Sequence, residues 1–245
     1  MKAVVTTGGR VGAAYANDAG TEIKALAPVR GATMLDRVID ALREAGVTQL
    51  AVVGGPEVRA ACSARVDRFI EESSSGAQNV LLALHAWPDD DGRPLLYATS
   101  DMPYVTAAAV RDFVARVPAG TIAIALAEYA DFAARFPDAP PFGITLARER
   151  VVNGGIFLLP AGSCARVSRT ATMLFAARKQ PWRMATLVSP LAMFRLIVGR
   201  LSVAEMETVA SKVAKIPAAA VRRCAPEIGY DADTVDEYRY ACRRP

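Results

Sequence analysis

The sequence predicts an α/β fold of three layers, a mostly parallel mixed sheet with helices on both faces. Two features carry that expectation. Short apolar, β-branched runs alternate with helix-period segments through the N-terminal third of the chain, the order that builds parallel strands through crossover helices. Several of those runs stop at glycines or at an acid, which marks their carboxyl ends as the ligand edge of such a sheet. A chain of 245 residues can bury a sizeable core, so one domain over 1–245 carrying an insertion is expected.

In chain order, Ala3 to Thr7 reads as a buried strand that opens into Gly8-Gly9, where backbone amides can approach a ligand closely. A loop carrying Lys24 leads to the turn Pro28-Val29-Arg30-Gly31. Met34, Leu35, Val38, Ile39 and Leu42 then recur at helical spacing. Gln49 to Gly54 is a second strand, with a helix from Glu57 to Ala64 and a third strand, Asp67 to Glu71. The loop Glu72 to Gly76 introduces a helix over Asn79 to Ala86, and its serines and glycine suit a helix cap. Asp89-Asp90-Asp91-Gly92 follows Trp87-Pro88 and reads as a solvated turn. Arg93 to Ser100 is a strand that delivers Asp101-Met102-Pro103 at its carboxyl end, and Thr106 caps the helix that runs to Val117.

Thr121 to Glu128 is a further strand and Phe132 to Phe136 a short helix, stopped by the breaker cluster Pro137 to Pro141. Phe142 to Ala147 and Val151 to Leu159 suggest paired strands; Asn153-Gly154 within the second is, on its own, a strong turn signal. From 162 to 215 strand signals give way to four helix-like stretches, near 163–179, 182–188, 190–200 and 202–214, read as a helical insertion. Its basic, aromatic edge Arg178 to Arg183 and the apolar run Leu191 to Val198 suit an anionic acceptor with a greasy part, a peripheral membrane contact or a homodimer contact, or simple packing on neighbouring helices. Ala218 to Cys224 is the last strand. Thr234 caps a terminal helix with Asp236 and Glu237 in its first turn, which leaves Asp231 and Asp233 unexplained.

Composition removes several classes. Apolar residues at 52% and charged ones at 22% exclude a disordered chain. A net charge of +4 without a basic stripe interleaved with aromatics gives no nucleic-acid partner. Cys62, Cys164, Cys224 and Cys242 lack CxxC spacing and are expected as free thiols. A single histidine, His85, excludes histidine triads and multi-histidine metal sites. Neither GxxxxGK[ST] nor GxGxxG is present, so P-loop and dinucleotide readings fall away. With no secretory leader pattern and no apolar run of membrane-spanning length, a cytoplasmic location is expected.

The stretch formed by Gly8, Gly9, Lys24, Leu26, Pro28, Val29, Gly31, Met34, Leu35 and Val38 to Leu42 resembles the signature of the nucleotidyltransferase family of the GT-A fold, which includes sugar-phosphate nucleotidylyltransferases and molybdenum-cofactor guanylyltransferase-like enzymes. That resemblance implies a three-layer, Rossmann-like GT-A fold and a nucleotide site on Thr7, Gly8, Gly9, Lys24, Ser75, Gly76, Gln78 and Ser100. It also implies Mg²⁺ held by Asp101 and Asp233, and an acceptor contact at Asn153 and Gly154. Where the family carries an arginine a few residues past the glycine pair, this chain has Ala13 and Ala14, so Arg10 joins Lys24 and Asp101 as a catalytic candidate.

The implied reaction is nucleotidyl transfer: a phosphorylated small-molecule or lipid-linked acceptor attacks the α-phosphorus of a nucleoside triphosphate and pyrophosphate leaves. The acceptor phosphate is already anionic, so catalysis reduces to positioning and charge neutralisation. Two alternatives stand beside it: a metal-dependent glycosyltransferase using a nucleotide-sugar, and a non-catalytic nucleotide sensor suggested by the missing arginine.

Overall fold

The computed structural model describes residues 1–147, 149–177 and 189–244. The basic edge Arg178 to Arg183 lies outside the described residues, apart from which the helix expected near 182–188 does so too. The strands are β1 (Lys2–Thr6), β2 (Pro28–Val29), β3 (Ala32–Thr33), β4 (Gln49–Gly54), β5 (Arg68–Glu71), β6 (Leu95–Thr99), β7 (Ile122–Glu128), β8 (Ile144–Leu146), β9 (Glu149–Leu159) and β10 (Ala218–Val221). The helices are α1 (Ala13–Ala19), α2 (Met34–Glu44), α3 (Pro56–Cys62), α4 (Gly76–Leu84), α5 (Ala107–Arg116), α6 (Tyr129–Arg135), α7 (Cys164–Ala177), α8 (Pro190–Ile197), α9 (Val203–Ala214) and α10 (Val235–Arg243).

Eight strands form one sheet in the order β10-β7-β9-β6-β1-β4-β5, with β8 alongside β9. The β1–β4, β1–β6, β4–β5 and β7–β10 pairs are parallel, whereas β9 runs antiparallel to β6, β7 and β8. The expected mixed, mostly parallel sheet is therefore present. β1 is central, with Val4 and Val5 both fully buried, which is why its sequence is a continuous apolar run and not an alternation.

Helices cover both faces. On one, Leu35, Val38 and Leu42 of α2 and Val110 and Phe113 of α5 pack on Val5, Leu96 and Ile156. On the other, Ala83 and Leu84 of α4 cover Val4, Ala51 and Val53, and Cys164 at the start of α7 joins them. α2 begins where Thr33 and Asp36 form a reciprocal capping box, and Thr106 caps α5 by accepting from the Ala109 amide. α7, α8 and α9 occupy the chain between β9 and β10, the stretch expected to be helical.

Three local expectations change. Ala13 to Ala19, expected as loop, forms α1 between Gly12 and Gly20, the latter left-handed at φ 70°; its alanines carry helix propensity but little apolar period. The turn Asp89 to Gly92 is more than a solvated loop, because Asp91 accepts a hydrogen bond at 2.8 Å from the fully buried Lys2 ammonium. Asn153-Gly154, a turn signal in isolation, lies inside β9. A side chain at Gly154 would meet Ile228 and Ala125, and one at Gly155 would meet Thr99 and Met102, so close packing explains both glycines.

A third cluster is aromatic. Tyr230, fully buried, has its ring centroid 4.7 Å from Phe142 and 5.0 Å from both Tyr104 and Phe136, and its hydroxyl donates to the Glu237 carbonyl at 2.9 Å. It pins the C-terminal segment onto α6 and the strands behind it. Tyr230→Ala is expected to cost roughly 3–5 kcal/mol, and Tyr230→Phe, which loses only the hydrogen bond, about 1 kcal/mol. Urea unfolding checks both, and a Tyr230→Ala variant as stable as the parent would remove the ring from the core account.

The thiols give a chemical check of the packing. Cys62, Cys164 and Cys224 are buried, and Cys242 is partly exposed. Burial pushes Cys62 up to about 11 and Cys164 up to about 12, Asp89 adding to the second. Native protein at pH 8 is expected to expose one thiol, Cys242, to a disulfide reagent and all four after denaturation; rapid labelling of Cys62 or Cys164 would contradict the packing.

Candidate active site

β1, β4 and β6 finish side by side, with Thr6 in register with Val53 and Thr99. The glycine loop, Gly54-Gly55 and Ser100-Asp101 therefore emerge together at the carboxyl edge, where ligands bind in sheets of this kind. Past the glycines the chain folds back on itself. The Lys24 amide donates to the Gly9 carbonyl at 3.0 Å and the Val11 amide to the Glu22 carbonyl at 2.9 Å, so Lys24 returns to the glycine pair.

An open cavity of about 260 Å³ lies at this edge, lined by Thr6, Gly8, Gly9, Lys24, Gly76, Asn79, Val80, Thr99, Ser100 and Asp101. A Cβ on Gly8 would stand 2.6 Å from Asn79 Nδ2, and one on Gly9 would stand 3.1 Å from Lys24 Cε. Only glycine keeps that wall thin.

Lys24 Nζ donates to Asp101 Oδ2 at 2.6 Å and to Asp233 Oδ1. Lys24 and Asp101 side chains are each 14% exposed, and that of Asp233 is 60% exposed. The two acids are held together by backbone as well: the Ala232 amide donates to the Asp101 carbonyl at 3.0 Å, and the Tyr15 hydroxyl donates to the Ala232 carbonyl at 3.0 Å. Burial draws the Lys24 ammonium toward its neutral form, but the adjoining Asp101 and Asp233 carboxylates outweigh it and raise the pKa above that of a free lysine. Burial, then Asp101 and Asp233, pushes the neighbouring Asp231 carboxyl up to about 7.

Asp101 Oδ1 is buried and has no hydrogen-bond partner among the described residues. A free carboxylate oxygen of this kind beside a second acid suits a hard divalent cation, whose remaining ligands come from phosphates and water. No group of three or more histidine, cysteine or acidic side chains among the described residues encloses a metal site by itself.

The model of the MobA-like NTP transferase domain family matches residues 8–232, nearly the whole chain. This chain belongs to that family. It is a nucleotidyltransferase, which sets the enzyme reading above the sensor. No curated protein matches the chain. Among solved structures, a hypothetical transferase from Thermus thermophilus is 28% identical with a TM-score of 0.82, over 97% of this chain and 100% of that one. A manganese complex of Rv0371c from Mycobacterium tuberculosis is 20% identical with a TM-score of 0.55, over 99% and 97% of the two chains. A CMP:2-keto-3-deoxy-manno-octonic acid synthetase complexed with CTP is 18% identical with a TM-score of 0.56, over 96% and 94%. The last two share the three-layer, Rossmann-like fold.

In this transferase Gly8, Gly9, Lys24, Gly76, Ser100 and Asp101 share the cavity wall, and Asp233 reaches it through Lys24. Thr7 is buried, its hydroxyl donating to the Val53 carbonyl at 2.7 Å, so that side chain belongs to the sheet. Ser75 and Gln78 are exposed and do not line the cavity. Their neighbour Asn79 does; it is buried, and its Oδ1 accepts from the Ser73 amide at 2.7 Å. Arg10 pairs with Glu72 at 2.7 Å, and Ala13 and Ala14 open α1. Asn153 faces a separate, apolar cavity beyond β6, whereas Gly154 is packed within the sheet. Asn79 and Glu72 escaped the sequence reading, and Asp231 was noted there without a role; a polar residue directly after the serine-glycine loop was the available signal for Asn79.

Lys24→Met strands two acids beside each other and is expected to cost roughly 3 kcal/mol, as when one partner of a buried pair is removed. Lys24→Met combined with Asp101→Asn should recover most of that loss. Urea unfolding of the single and double variants tests the coupling, and additive losses would show that the three groups do not act together.

Proposed function

We propose that this transferase moves a nucleoside monophosphate unit from a nucleoside triphosphate to a phosphorylated acceptor, with Mg²⁺ as cofactor and pyrophosphate as the second product. One observation carries the reading: a lysine clamped between Asp101 and Asp233 at the mouth of a glycine-walled cavity. The manganese complex of one structural neighbour and the CTP complex of another support a divalent ion and a nucleoside triphosphate as ligands. We further propose that 1–245 act as one catalytic domain, with 162–215 as its acceptor-side insertion.

An oxygen of the acceptor phosphate forms a bond to the α-phosphorus as the bond from that phosphorus to the bridging oxygen breaks, and the electron pair leaves with pyrophosphate. The Gly8 and Gly9 backbone, without side chains, admits the phosphates to within reach of main-chain donors. Lys24 supplies a positive charge that stays protonated at neutral pH, and it offsets charge on the phosphates. Asp101 and Asp233 would hold Mg²⁺, which supplies charge neutralisation at the phosphate oxygens when bound. Asn79, with its amide nitrogen beside Gly8, is placed to meet the nucleotide from the α4 side.

A triphosphate at 100 times its dissociation constant stabilises its target by about 2.7 kcal/mol, so a thermal-shift screen of the common triphosphates with Mg²⁺ or Mn²⁺ should single out the donor. Pyrophosphate release in the presence of acceptor phosphates then tests transfer. Asp101→Asn should lose divalent-dependent turnover while keeping its fold; wild-type turnover in that variant would take Asp101 out of the mechanism. Lys24→Ala should bind triphosphate more weakly and with a smaller salt dependence, and equal affinity would remove its phosphate role.

A further inference from the structure

On the α4 face of the sheet, Tyr97, Phe157, Ile124 and Ala220 follow one another as register partners across β6, β9, β7 and β10. Four adjacent strands span about 14 Å. Under α4 this same face is sealed, yet here Tyr97, Phe157, Ile122 and Ile124 are only half-buried. The opposite face of the same strands, at Leu96, Leu158 and Ala123, is buried under α5 and its neighbours. Alanines at 218–220 leave the far edge low, and among the described residues α9 covers that edge through Val203 and Met206, with Val203 also packing on Leu126, Leu146 and Val151. The result is a trough of three adjoining cavities of about 300, 250 and 340 Å³, all touching Ile122 and walled almost wholly by carbon.

One end of the trough is the active site. Val80 and Thr99 line both the nucleotide cavity and the first of the apolar ones, and the Tyr97 hydroxyl is 2.8 Å from that of Thr6. The other end lies beside α8, where Leu191, Phe194 and Ile197 are 65%, 62% and 78% exposed. A hydrophilic acceptor gains nothing from such walls, whereas each methylene taken from water into them is favourable.

We propose that the trough binds the hydrocarbon chain of the acceptor, so that the acceptor is a phosphorylated amphiphile with its phosphate beside Lys24 and Asp101 and its chain along the Tyr97–Ala220 row. This rests on the nucleotidyl-transfer reading and adds the substrate class. The chain crosses β6, β9 and β7 in turn. Where it outruns the sheet, the exposed apolar side of α8 continues its path toward a bilayer or micelle holding the rest of the molecule.

The test is a series of n-alkyl phosphates from butyl to decyl, each below its micelle concentration, given to the full chain. Calorimetry reads binding without nucleotide, and pyrophosphate release reads turnover with triphosphate and Mg²⁺. Affinity should rise by about fourfold per methylene, and KM should fall in parallel. Ile122→Trp and, separately, Ala218→Phe fill the trough and should shift the preference to shorter chains, with melting temperatures reporting that each folds. Binding that rises with chain length without any pyrophosphate supports the trough and overturns the transfer reading. Turnover of glycerol or sugar phosphates with no gain from alkyl length overturns the trough and leaves transfer standing. A chain-length gain unchanged in both filled variants places the chain elsewhere and overturns the proposal.

Discussion

Everything at the carboxyl edge depends on one ammonium group set between two carboxylates. Lys24, Asp101 and Asp233 come from the opening loop, the end of β6 and the approach to α10, and without their attraction the acids would repel at short range. A largely buried cation has to be matched by charge or it loses its proton. The same arrangement leaves an uncommitted acid oxygen beside the cavity: Oδ2 of Asp101 is spent on the lysine, and Oδ1 is buried with no hydrogen-bond partner among the described residues.

Charge alone does not assemble that cluster; apolar packing brings it within range. Tyr230, buried among Tyr104, Phe136 and Phe142, fixes the chain one residue before Asp231. The Ala232 amide then bonds the Asp101 carbonyl, and the Tyr15 hydroxyl closes the far side. The aromatic cluster thus supplies the stability, and the backbone bond converts it into alignment of side chains on either side of Ala232. Among the described residues no helix is long and apolar enough to cross a membrane.

The two halves of the sheet are built differently. Around β1 both faces are closed by large aliphatic side chains under α2 and α4. Around β7 and β10 one face is closed and the other carries alanine and half-buried Ile122, Ile124 and Phe157. A face that the described residues leave half-buried forgoes burial that would stabilise the sheet, and this part adjoins the cavity with Lys24 and Asp101.

The sequence by itself determined the alternation of strands and helices, the placing of Gly8-Gly9 and Asp101 at strand ends, and the caps at Thr106 and Thr234, because each is a local pattern of side-chain period or turn chemistry. The phase of each element was less legible. A shift of one residue turns a strand side chain to the opposite face, so Thr6 lines the cavity and Thr7 the interior, and one residue on a helix separates the exposed Gln78 from the buried Asn79. α1 went unread because its alanines show no apolar stripe. The family resemblance had already brought Asp101 and Asp233 together, but only the tertiary structure decided that Lys24 lies between them, and that one sheet face is left half-buried by the described residues, because both follow from how distant surfaces pack and no local spacing encodes that.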